Sequence, residues 1–214
     1  MESILEDLFR SHRTFYGDYF KDEFELDKFI LGKLNYQASP VPRRMINTVP
    51  RLISLANEMD IIKPGRRDLS IFFIITCIEA LHSLQLIRMQ KQEMVIIFFE
   101  KFLSLEDQKK IIDNVKILSV NREYKWFDSI TMEQFALLLC AIRNNVAHEG
   151  IYWSFTFKGE SEDAFKVVNS LKSKIIKNQP YNEISYEVGL SYSEFLLICM
   201  RGFINYINHY FNNL

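Results

Sequence analysis

Residues 142–150 read IRNNVAHEG, a run of polar side chains closing an otherwise apolar stretch. Arg143 offers a planar fork of donors that stays charged at any working pH and matches two oxygens of a phosphate. Asn144 both donates and accepts hydrogen bonds. His148 is the side chain able to give or take a proton near neutrality, and a place beside the unpaired carbonyls of a last helical turn favours its imidazolium form. Together with Asn145, this set points to phosphate handling.

Such residues act together only if something holds them. The run 131–149 carries Phe135, Leu138, Leu139, Ile142 and Val146 at i, i+3, i+4, i+7 and i+11, an apolar stripe of helical period that anchors one side. Asn144 and His148, four apart, then share a face, with Arg143 on its flank. Thr131 with Gln134 signs the start of this helix as a capping box, and Gly150 stands where a left-handed stop belongs. Glu79 lies within FIITCIEALHSL, where an unpaired acid is costly to bury. It is expected either to reach Arg143 or His148 and fix its orientation, or to sit partly exposed at the edge of a bundle. His82, in phase with Ile71, Ile75 and Ile78, reads as a satisfied core histidine.

Other chemistries lack their signatures. His12, His82 and His209 make no metal-ligand spacing, and no phosphate-binding glycine loop or GxSxG elbow occurs, so no metal or cofactor is implied. Cys77, Cys140 and Cys199 each lie in an apolar run without a CxxC pair, which predicts buried free thiols in a reducing, cytoplasmic setting. The N-terminus lacks the basic and apolar regions of a secretory signal, and LSIFFIITCI, closed by Asp68 and Glu79, is too short for a membrane span. A net charge of -1 removes any global pull on a polyanion, so one would have to be held by a local patch.

With 214 residues, 48% of them hydrophobic, and only seven glycines, the chain reads as one mainly α domain. Residues 1–62 form an N-terminal helical elaboration, including a helix at about 43–59, and 66–214 a bundle core. The spacing predicts helices over 68–89, 91–103, 104–118, 131–149 and 191–211. IYWSFTFK (151–158) and EISYEVGL (183–190) alternate and are rich in aromatic and β-branched residues, which predicts a small two-stranded β element flanking a helix around 161–177.

The string Arg143-Asn144-x-x-x-His148 resembles the RNxxxH form of the motif that marks the HEPN superfamily of small helical-bundle proteins. That resemblance implies an antiparallel helical bundle and a metal-independent ribonuclease, with two copies of the motif meeting across a homodimer. It also implies Arg143 and His148 as the catalytic pair, oriented by Asn144. One His148 would take the proton of the RNA 2′-hydroxyl and its mate would protonate the leaving 5′-oxygen, giving a 2′,3′-cyclic phosphate. Toxins and phage-defence effectors occur in the family, so an antitoxin or regulatory protein is an expected partner. Two other readings stand beside it: a HEPN-like module that binds nucleotide, RNA or a protein without cutting, and a cluster that merely caps its helix.

Lys33, Arg43, Arg44, Arg51, Lys63, Arg66 and Arg67 concentrate between 33 and 67. Arg43, Arg44, Arg66 and Arg67 could track an RNA backbone, and Tyr152 or Trp153 could stack bases. The acidic first 30 residues could equally neutralise that stretch within the fold.

Overall fold

Local start signals decide where several of the helices begin. The computed structural model describes residues 2–85, 88–119, 130–157, 167–169 and 184–214. Within them lie α1 (Glu2–Tyr16), α2 (Glu23–Leu34), α3 (Val41–Ile62), α4 (Arg67–Ser83), α5 (Lys91–Ile97), α6 (Leu105–Asp113), α7 (Met132–Asn144) and α8 (Tyr192–Asn212). The protein is mainly α. Reciprocal capping boxes open α7, where Gln134 N–H meets Thr131 Oγ1 at 3.1 Å and Thr131 N–H meets Gln134 Oε1 at 2.9 Å, and α8, built the same way from Ser191 and Glu194. Ser104 caps α6 through Asp107 N–H at 3.1 Å, but the box is half made. The buried Asp107 carboxylate instead accepts a two-pronged bond from Arg201 of α8.

One cluster of buried apolar side chains runs from Tyr16 and Ile46 through Ile75 and Phe135 to Phe203. Its N-terminal part shows how a helix tolerates an internal proline. Pro50 has no N–H for the carbonyl of Ile46, one turn back in α3. The fully buried Tyr16 of α1 donates its hydroxyl to that carbonyl at 3.0 Å, so the orphaned acceptor is satisfied from another element. At the far side α8 crosses a π turn, Phe98–Phe102, that continues α5. A Cβ on Gly202 would stand 2.7 Å from Phe98 Cζ and Leu103 Cδ2, so the approach of these elements depends on the bare glycine.

The β element differs from expectation. Three strands, β1 (Val115–Ser119), β2 (Val167–Asn169) and β3 (Ile184–Val188), form an antiparallel sheet in the order β1-β3-β2, with Val115 opposite Val188 and Val167 opposite Tyr186. The helix expected over 104–118 therefore ends at Asp113. Asn114 turns the chain out by bonding its amide to Lys110 O at 2.8 Å and by accepting from Gly189 N–H at 2.7 Å. The residues that follow join the sheet, where Val and Ile fit well. Residues 151–157 are not a strand: the buried Asp68 carboxylate, in the first turn of α4, accepts from Ser154 N–H and Oγ–H at 3.3 and 2.7 Å and from Phe155 N–H at 3.1 Å. Two backbone donors that a ladder would need are consumed by one side chain. Of the helix expected around 161–177, residues 167–169 are the strand β2; the rest, like residue 158, lies outside the described residues.

His82 is in the core, its ring edge-on to Tyr206 with centroids 4.7 Å apart, but it is not satisfied: Nε2 has no hydrogen-bond partner among the described residues. Burial lowers its pKa to about 4. The folded state thus keeps the ring neutral, while the unfolded chain takes up a proton near pH 6.5. The stability this gives is present above pH 6.5 and is lost as pH falls toward 4, amounting to about 2 kcal/mol between pH 7 and pH 5. Denaturant titrations at those two pH values should show that loss, and His82→Leu should reduce it. A smaller slope will remain, because burial also lowers the pKa of His12.

Candidate functional site

The helix that carries the motif ends sooner than its sequence period suggests. α7 keeps α geometry through Asn144, and residues Asn145–Glu149 continue as a π turn. Gly150, at φ +66°, reverses the chain, and its N–H and that of Ile151 both return to the Asn145 carbonyl, the latter at 3.1 Å. The left-handed stop falls where Gly150 predicts. The wider winding means that Asn144 and His148 do not keep the angular relation of an α-helix. Val146 is half-buried, and Ala147, His148 and Glu149 are exposed.

Arg143 points the other way, into the packing between α7 and α4, and is only 8% exposed. Its Nη2 donates to Glu79 Oε2 at 2.5 Å and its Nη1 to Asn144 Oδ1 at 2.8 Å. Glu79 therefore reaches Arg143, as one of its two expected placements had it. Lys91, the first residue of α5 and 69% exposed, brings its ammonium within 3.9 Å of the same Glu79 oxygen. The thiol of Cys140, one turn before the motif, is pushed up to about 12, first by burial and then by the Glu79 charge, with Arg143 opposing. Cys77 and Cys199 are likewise buried and free.

The structure thus joins Glu79, Arg143, Asn144 and Lys91 in one chain of contacts. His148 makes no hydrogen bond or ion pair with these four. Asn145 is half-buried in the π turn. Sequence reasoning did not pick out Lys91, because a lysine opening a short helix carries no signature. It also passed over Asp68, whose position in the first turn of an apolar helix was the available signal for an anchor.

The basic stretch is divided in use. Arg43 donates from Nε and Nη2 to the Leu34 carbonyl at 3.2 and 2.7 Å, closing the C-terminus of α2. Arg67 lies 4.3 Å over the Tyr192 ring and 3.3 Å from Asp60. Lys33 is buried between Phe29 and Phe211 and donates to Asn208 at 2.6 Å; burial, with help from Lys28, lowers its pKa to about 8. Arg44, Arg51, Lys63 and Arg66 are exposed. Tyr152 packs edge-on to Trp153, which is 58% exposed.

No family model matches the chain, and searches among curated proteins and solved structures find no similar protein. Among the described residues no helix is long and apolar enough to cross a membrane.

Proposed function

We propose that the chain is a HEPN-like ribonuclease that cleaves RNA without metal. The observation that carries this reading is the motif's setting: an arginine and asparagine locked together at the end of a buried helix, with an exposed histidine on the turn that follows. In the reaction the 2′-oxygen bonds to phosphorus as the bond from phosphorus to the 5′-oxygen breaks. His148 removes the proton from the 2′-hydroxyl, and the same residue of a second copy supplies one to the departing 5′-oxygen. One chain presents one such histidine, so the active species is a two-fold homodimer with the helix ends facing. The amide groups at those ends, with the positive charge beside them, stabilise the added charge on phosphorus. A cytoplasmic toxin or defence effector restrained by an antitoxin or regulatory protein is the biological setting that fits.

A second reading draws on Arg143, whose burial and engagement suit a module that retains RNA or nucleotide without cutting. One experiment separates the two. Incubated with a mixed RNA pool in EDTA, the protein should produce fragments ending in 2′,3′-cyclic phosphate and 5′-hydroxyl, and DNA should survive. RNA retained but uncut supports the binding module; cleavage abolished by the chelator counts against the metal-independent mechanism.

A further inference from the structure

Resting on the RNA reading above, we infer that the phosphodiester is met by the Asn144 carboxamide and the Lys91 ammonium, and that Arg143 is a positioning residue held between Glu79 and Asn144. Arginine has donors and no acceptor, so the atom of Asn144 that faces it must be the oxygen. The carboxamide cannot flip while that bond stands. Its N–H2 group therefore faces away from Arg143, has no partner among the described residues, and presents two donors to whatever approaches. An asparagine free to rotate would present its oxygen half the time and repel an anion.

Charge leads to the same assignment. The Arg143 guanidinium is neutralised by Glu79 at 2.5 Å, and both are largely buried, so the pair projects little field outward. Lys91 sees the same carboxylate only at 3.9 Å, beyond hydrogen-bond reach, and is mostly in solvent. Its three donors remain available, and it contributes the outward positive charge of this chain of contacts. A phosphate that instead took Arg143 would have to displace Glu79 and leave that carboxylate buried beside Lys91 alone.

The test is anisotropy of a fluorescent 2′-O-methyl oligoribonucleotide, which lacks the attacking hydroxyl and cannot be cleaved, titrated at several salt concentrations. Asn144→Asp keeps the acceptor that Arg143 needs and replaces the outward donors with a charged oxygen. It should melt like wild type and bind about 10-fold or more weakly. Lys91→Gln should lower the slope of log affinity against log salt by about 0.7, the value for one phosphate contact on a single strand. Glu79→Gln loosens Arg143 and hence Asn144, so it should weaken binding; in cleavage assays KM should rise. If Arg143 contacted the phosphate itself, the same change would free it and tighten binding. Tighter binding by Glu79→Gln, wild-type affinity in Asn144→Asp, or an unchanged salt slope in Lys91→Gln overturns the inference while leaving the nuclease reading intact. Wild type that neither binds the analogue nor cuts RNA overturns both.

Discussion

His148→Ala will abolish RNA cleavage and leave the fold as stable as before. The side chain is exposed on the π turn and makes no hydrogen bond among the described residues, so its removal orphans no partner there. Exposed substitutions of this kind fall within about 0.5 kcal/mol. Activity is a different matter. A positioned general acid or base contributes roughly 100- to 10,000-fold, and in the proposed two-fold dimer one substitution deletes both proton carriers at once. A loss of at least about 100-fold in single-turnover rate, with an unchanged thermal midpoint, is the expected pair of results. A variant that melts early with its rate intact would identify the histidine as a helix cap, and full activity in the variant would remove it from the chemistry.

Glu79→Ala carries the largest expected effect on stability. It leaves the Arg143 guanidinium 8% exposed, with the neutral Asn144 oxygen as its one remaining acceptor and its Nε already without a partner among the described residues. Lys91 cannot compensate, being a cation itself. Removing one member of a buried ion pair costs about 3–5 kcal/mol, because the other charge is left desolvated and uncompensated. The midpoint of urea unfolding at neutral pH should fall accordingly, with the slope unchanged. Replacing both partners by apolar residues, as in Glu79→Leu with Arg143→Met, should recover most of the loss, since no charge is then left buried without its partner. A loss under about 1 kcal/mol in the single variant would mean that water reaches the pair and screens it.

The parts of this fold that could be read from the chain are those decided within a few residues. Thr131 with Gln134, Ser191 with Glu194, and Gly150 mark helix ends because the bonds they make are local. What escaped depends on distant partners. The run KKIIDNVKIL keeps its apolar residues at spacings an α-helix also accepts, and only pairing with a strand some seventy residues later draws Val115–Ser119 out of it. IYWSFTF alternates like a strand, yet Asp68, more than eighty residues earlier, takes its amides.

The site divides along the same line. The residue types are read directly from the chain, and the reach of Glu79 toward Arg143 is one of the two placements that the cost of burying an acid alone left open. The π winding and the inward bearing of Arg143 are not legible there, because both are settled by packing against α4 and the return of the chain at Gly150.

That winding has a consequence for how such a site could change. A π turn accommodates one more residue per hydrogen-bonded loop than an α turn does. Losing a single codon among positions 145–147 would let the segment rewind as ordinary α-helix and swing the imidazole by about 100° about the axis. The buried arginine, its glutamate and the core would stay where they are. Small insertions and deletions at this spot would thus act as a rotary adjustment of the histidine alone, open to natural drift without the penalty of unfolding.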